Sequence, residues 1–276
     1  MKRALLLAFV AALAAYSASA QDWAKARLEK SPRHLEWITV KHGDREVGCY
    51  IGYPEVKGKA TAVLVIHEIY GLSDWARTVV DELAEAGYIA IAPDLLWGSG
   101  AKGGGTSELA ADQIGLKIRA LPGDQITADL NACAAYVKQL DASNGKLAVT
   151  GYCWGGGQSF RYATNSKEVK AAFVFYGTAP TDAADLARIA CPVYGFYGGN
   201  DARVTSTTAK TAELMKAAGK SYELNVYEGA GHGFMRAGEA PPPEAGAEQK
   251  AVDAFAANKK ARDTAWARVK EVLGKL

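Results

Sequence analysis

Lys146-Leu147-Ala148-Val149-Thr150 runs straight into Gly151-Tyr152-Cys153-Trp154-Gly155-Gly156-Gly157. The first five residues read as a buried strand, and a helix is expected from Gly155 to about Ala163. A sharp strand-to-helix turn with glycine on both sides of one central residue is the pattern of a nucleophile elbow, here with cysteine where serine is usual. The glycines suit a turn that holds its central residue in a strained backbone conformation with little room on either side. The turn also places Cys153 at a helix N-terminus, where the dipole and free N–H groups favour a thiolate and an anionic intermediate.

Outward from this turn, strand and helix patterns alternate. Downstream come strand Val169 to Tyr176, strand Pro192 to Tyr197, a helix over Ser206 to Ala218, strand Tyr222 to Tyr227 and a long last helix from about Ala247 to Val272. Upstream lie strand Thr61 to His67, a helix from about Asp74 to Ala86 that stops at Gly87, strand Tyr88 to Ala92, and a helix from about Asp124 to Leu140. Two earlier runs, Leu35 to Val40 and Val47 to Tyr53, flank the turn His42-Gly43-Asp44 and form an antiparallel entry. Such alternation predicts βαβ crossovers, a mostly parallel sheet with helices on both faces, and ligands at the carboxyl ends of the strands. Between Pro93 and Pro122 the alternation lapses into Gly98-Ser99-Gly100-Ala101-Lys102-Gly103-Gly104-Gly105, a candidate lid.

A thiol is only partly ionised near neutrality and benefits from a base. Of His34, His42, His67 and His232, the first two precede the crossovers. His232 follows the last strand inside Glu228-Gly229-Ala230-Gly231-His232-Gly233-Phe234. A supporting acid that follows a strand between nucleophile and histidine, in the order Ser/Cys…Asp…His, falls on Asp201 of Gly198-Gly199-Asn200-Asp201, with Asp182 and Asp185 in reserve. Oxyanion donors are expected from the backbone N–H of Trp154 and from Ile69, in the loop His67-Glu68-Ile69-Tyr70-Gly71. Glu68 reads either as a solvated carboxylate or as a group aimed at the thiol.

In sequence order, His67-Glu68-Ile69-Tyr70-Gly71, Ala92-Pro93-Asp94-Leu95, Gly151-Tyr152-Cys153-Trp154-Gly155-Gly156, Tyr197-Gly198-Gly199-Asn200-Asp201 and Gly231-His232-Gly233-Phe234 together resemble the dienelactone hydrolase family. The resemblance runs from about Val63 to the last helix. It implies the α/β-hydrolase fold, a Cys153, His232 and Asp201 triad, a Glu68 that pairs with the resting thiol and yields to substrate, and an Arg236 that grips a substrate carboxylate. The family's second carboxylate-binding arginine has no counterpart: Leu96-Trp97-Gly98-Ser99-Gly100 stands there, and no arginine follows until Arg119. The expected activity is hydrolysis of an ester or lactone through an acyl-enzyme. A thioesterase or general carboxylesterase on the same residues, or a non-catalytic exported ligand-binding protein, are the other readings. No metal or organic cofactor is expected.

The chain opens with Lys2 and Arg3, an apolar run from Ala4 to Tyr16, and Ser17-Ala18-Ser19-Ala20. That is the layout of a secretory signal peptide, with cleavage expected after Ala20 and a secreted or periplasmic product that is not stably inserted in a membrane. Residues 21–276 are expected to form a single domain and a monomer. Loss of Lys2 and Arg3 leaves equal numbers of basic and acidic residues, so a nucleic-acid partner is not expected. Cys133 shares a helical face with Leu130, Val137 and Leu140, and Cys49 and Cys191 lie in or beside strand-like runs. All three read as buried, with one disulfide among them left open.

Overall fold

The computed structural model describes residues 22–276; the segment expected to be a signal peptide, residues 1–20, falls outside them. Eight strands form one sheet: β1 (Leu35–His42), β2 (Arg45–Gly52), β3 (Ala60–Ile66), β4 (Ile89–Pro93), β5 (Ser143–Tyr152), β6 (Val169–Phe175), β7 (Val193–Gly198) and β8 (Tyr222–Tyr227). Their order is β1-β2-β4-β3-β5-β6-β7-β8. β1 pairs antiparallel with β2, and β2 with β4; every later pairing is parallel. The chain leaves β3 for β4 on one side and returns to β5 on the other, so β3 is the switch point, where the crevice beyond the strand ends opens.

Two-sided burial explains the apolar runs. Every residue of β3 and β4 is buried. One face packs on α2 (Asp74–Glu85) and α9 (Gln249–Leu273), through Val79, Leu83, Ala265 and Trp266 among others. The opposite face packs on α4 (Gly123–Gln139), α5 (Trp154–Asn165) and α8 (Thr208–Ala217), through Leu130, Val137, Phe160 and Met215. Each buried Val, Leu or Ile contributes roughly 1.5–3 kcal/mol. Ser73 caps α2 by accepting from the Ala76 N–H.

The expected lid is more ordered than its glycines suggested. Asp94 accepts from the Thr106 N–H at 2.6 Å, the Thr106 hydroxyl at 2.8 Å and the Leu96 N–H at 3.1 Å. It thereby ties the segment to the end of β4. Beyond it stand a 3₁₀ turn, Thr106–Glu108, and α3, Ala111–Ala120. Sequence periodicity missed α3 because Ile118 is its one buried residue and Leu116 points into solvent. The helix expected over Ser206 to Ala218 is present as α8; a separate short helix that the sequence reading did not include, α7 (Ala202–Thr205), precedes it and ends where the Thr205 hydroxyl donates to the Gly198 carbonyl at 2.7 Å. Residues 22–30 form a helix, α1, and Ala183–Ala187 a short one, α6. α1 is docked by Arg27, which with Ser31 and Arg33 converges on the fully buried side chain of Asp81. Cys49, Cys133 and Cys191 are buried and unpaired, with the Cys49 and Cys133 sulfurs 3.4 Å apart. No helix of the described residues is long and apolar enough to cross a membrane.

Candidate active site

Cys153 lies between β5 and α5 with φ 56° and ψ −117°. A β-carbon disfavours this left-handed region, at a cost of about 1–3 kcal/mol that the surroundings must offset. The Cys153 N–H donates to the Phe175 carbonyl at 3.0 Å, tying the turn to the end of β6. Glycine is required by close approach. A β-carbon on Gly155 would meet the Ile66 and His67 carbonyl oxygens at 2.4 and 2.3 Å, and one on Gly156 the Phe175 carbonyl oxygen at 2.4 Å. The first turn of α5 therefore presses directly on the ends of β3 and β6, with its N–H groups facing the crevice.

The half-buried Cys153 thiol has its pKa pushed up, first by burial and next by the Glu68 charge. The Trp154 N–H, the Arg236 charge and the Ile69 N–H act the other way on the same sulfur. Both residues expected from the sequence as backbone donors line one cavity with Cys153. Ile69 is placed by the preceding residue: Leu95 N–H donates to His67 Nε2 at 3.3 Å, so Nδ1–H donates to the Glu68 carbonyl at 2.8 Å. Burial drives the His67 pKa down and keeps the ring neutral, and the ring stacks on Trp154 with centroids 5.7 Å apart. His67 is a positioning residue for both donors, a part for which the sequence reading had no assignment.

Glu68 is buried, and its partner is Arg236, whose Nε donates to Oε2 at 2.9 Å and whose Nη2 also bonds it. Arg236, on a 3₁₀ turn over Phe234–Ala237, is thus neither a solvated arginine nor an empty carboxylate clamp. Its guanidinium lies over the Tyr70 ring, 4.9 Å from the centroid. Burial opposes its charge, but Glu68 more than compensates and raises its pKa. The other Glu68 oxygen, Oε1, is buried without a hydrogen-bond partner.

Asp201 follows β7, and its Oδ2 lies 2.6 Å from His232 Nδ1. The histidine loop is fixed from two sides, by the Asn200 N–H on the Ala230 carbonyl and by the Gly231 N–H on Asn258 Oδ1 of α9, each at 2.8 Å. Neither reserve acid contacts His232: Asp182 caps α6 and Asp185 pairs with Arg188. Tyr176 has a positive φ of 40°, presents an edge to the His232 ring at 5.0 Å and lines the Cys153 cavity. Its hydroxyl is buried without a partner, and burial raises its pKa well above the usual tyrosine value. Its place at the end of β6, level with the elbow, was the one signal that could have found it. The cavity measures about 910 Å³ and also takes in Ile69 and Trp154. Among the described residues no cluster of His, Cys, Asp and Glu has the makings of a metal site.

Residues 47–276 match the model of the dienelactone hydrolase family. The "Putative carboxymethylenebutenolidase" of Methylorubrum extorquens is 33% identical over 210 residues, covering 71% of each chain. Its namesake from Yersinia pestis is 31% identical over 213 residues, 73% of this chain and 79% of the other. A Klebsiella pneumoniae crystal structure, described as a "Putative Dienelactone Hydrolase", superposes with a TM-score of 0.73 at 23% identity, covering 88% of this chain and 99% of that one.

Proposed function

From the premise that the chain belongs to the dienelactone hydrolase family and is a hydrolase, we propose that it cleaves an ester or lactone bond by acyl transfer to Cys153. The observation that supports this most is a strained cysteine at a helix N-terminus that shares one cavity with Ile69 and Trp154, whose N–H groups both lower its thiol pKa. A tetrahedral oxyanion needs donors placed in that way. His232, held by Asp201 through Nδ1, supplies the base.

In the proposed sequence the thiol proton passes to His232 Nε2 as sulfur bonds to the carbonyl carbon, and Ile69 and Trp154 hold the oxyanion. Collapse breaks the carbon–oxygen bond. The imidazolium, stabilised by Asp201, gives its proton to the leaving oxygen, which in a lactone remains attached as a hydroxyl. Water then loses a proton to Nε2 and attacks the thioester. The acid departs, and the imidazolium returns its proton to sulfur. Before substrate arrives, burial and the Glu68 charge favour the neutral thiol. A substrate carboxylate that draws on Arg236 loosens its hold on Glu68, which is how the arginine's proposed substrate role and its resting partner fit together. Export with cleavage after Ala20, and a monomer in solution, belong to the same reading. They are checked by N-terminal sequencing for a chain that starts at Gln21 and by size-exclusion chromatography.

The decisive experiment measures turnover of small activated esters and lactones by the wild type and Cys153→Ala, with mass spectrometry of the quenched enzyme. Loss of turnover in the variant, with an acyl adduct on Cys153 in the wild type, is expected. Equal turnover by both would overturn the assignment. Tight binding of a ligand panel without any turnover would favour a binding protein.

A further inference from the structure

Among the described residues, Arg27, Arg33, Arg45, Arg77, Arg236, Arg262 and Arg268 each form an ion pair with a carboxylate outside the Cys153 cavity. The remaining four, Arg119, Arg161, Arg188 and Arg203, all line that cavity. One carboxylate, Asp185, lines it with them and is taken by Arg188 at 2.7 Å. Arg119, Arg161 and Arg203 have no carboxylate partner among the described residues, and they come from three different helices, α3, α5 and α7. Three guanidinium groups without a carboxylate partner, Arg161 half-buried and Arg119 and Arg203 exposed, give this cavity an excess of positive charge that attracts an anion.

Arg161 is held in place. Its Nη1 donates to Thr127 Oγ1 at 2.9 Å, and its Nη2 packs so close to Gly123 that a β-carbon there would stand 2.8 Å away. A planar guanidinium fixed in this way suits two-pronged recognition of carboxylate or phosphate. Arg161 lies eight residues beyond Cys153 along α5, an axial rise of about 12 Å, of which the side chain, pointing back toward the helix N-terminus, recovers part. The anion it meets is therefore several bonds from the carbonyl that Cys153 attacks. A cavity of about 910 Å³ has room for a substrate of that length. Arg236 lies outside this group, engaged with Glu68.

We infer that the substrate is an elongated ester bearing an anionic group remote from the scissile bond, carboxylate or phosphate, held by Arg161 at the far part of the cavity, with Arg119 and Arg203 adding positive charge along its lining. This rests on the hydrolytic reading above and adds a substrate class to it.

The test compares kcat/KM for two matched pairs. Mono-p-nitrophenyl adipate against p-nitrophenyl hexanoate places the charge on the acyl side, and 3-carboxyphenyl acetate against phenyl acetate places it on the alcohol side. The wild type is expected to prefer the anionic member of one pair, and Arg161→Gln and Arg203→Gln each to lower that preference about tenfold, as expected for a charge-assisted bond that is partly solvated. Raising the salt concentration should shrink it as well. Calorimetry gives a readout independent of turnover: adipate or inorganic phosphate should bind Cys153→Ala and bind less well once Arg161→Gln is added. Thermal melting confirms that the variants fold. If neither pair shows a preference, or if the preference survives both arginine substitutions, the inference fails while a Cys153→Ala loss of turnover would leave the hydrolytic reading standing. If Cys153→Ala retains turnover while the arginine variants lose the preference, the reverse holds.

Discussion

Replacing Gly155 by alanine tests whether the packing of α5 sets the reactivity of Cys153. The added β-carbon would lie 2.3 Å from the His67 oxygen and 2.4 Å from the Ile66 oxygen, both on backbone at the end of β3. A carbon–oxygen contact needs about 3.2–3.4 Å, and neither strand carbonyl can swing away, so the first turn of α5 must retreat by about 1 Å. Overpacking of this kind costs about 1–3 kcal/mol and lowers the melting temperature by about 2–4 °C per kcal/mol for a chain of this length. The same retreat carries the Trp154 N–H and the sulfur away from Ile69. A misplacement of about 1 Å at a reacting centre can cost about a hundredfold in rate. Initial rates on an activated ester, with melting curves alongside, give both quantities. Gly157→Ala is the control for stability: its β-carbon would meet the Thr178 oxygen at 3.3 Å, a tight contact that helix propensity offsets, so its stability should stay within about 1 kcal/mol of the wild type. A Gly155→Ala enzyme that melts with the wild type and turns over within threefold of it would refute the reasoning.

Glu68→Gln removes a charge that helps keep the Cys153 thiol protonated and leaves Arg236 unopposed, so the thiol pKa should fall. Alkylation by iodoacetamide near pH 7 should become severalfold faster, with the midpoint of its pH profile moved down; a slower or unshifted profile contradicts this. Burial acts to raise the Asp81 pKa, but the hydrogen bonds from Arg33 and Ser31 and the charges of Arg27 and Arg33 outweigh it and hold it below the usual carboxylate range. Its stabilisation is therefore complete above about pH 4 and fades as pH falls through the depressed folded value. Asp81→Asn should cost about 1–3 kcal/mol in urea unfolding at pH 7, because it removes the one buried carboxylate that Arg27 and Arg33 share while each keeps a pairing with Glu85, and should flatten the acid limb. Equal acid sensitivity in both proteins would remove Asp81 as its source.

The parallel sheet was legible because strands buried on both faces leave long apolar runs: β3, buried throughout, lies within one residue of the predicted Thr61 to His67, and the last helix is placed within two residues at its start. The elbow was legible because its glycines answer to contacts under 2.5 Å that only glycine permits. α3 was not, since a helix lying on the surface with one buried residue has no apolar stripe to read. The pairing of Arg236 with Glu68 was equally hidden, because the two are 168 positions apart and only the sheet brings their loops together. For the same reason four scattered arginines carry no pattern in the sequence, yet three helices and the end of a fourth deliver them to one cavity.

The electrostatics of the site join these observations. Cys153 is acted on by opposing influences of separate origin: burial and Glu68 favour the neutral thiol, while the α5 N-terminus, the Ile69 N–H and Arg236 favour the thiolate. Arg236 and Glu68 also neutralise each other, so whatever competes for Arg236 changes the balance at sulfur. An anion bound farther along the cavity by Arg161 does not touch that pair. It leaves the thiol's resting state unaltered and contributes by fixing the carbonyl against the two N–H donors. The arginines around one cysteine therefore have separable effects: those lining the cavity, Arg161 foremost, govern which ester is held, and Arg236 governs when the sulfur ionises. Substitution of Arg161 should accordingly leave the alkylation profile of the free enzyme in place, and substitution of Arg236 should move it to higher pH, because the Glu68 charge then acts on the thiol unopposed.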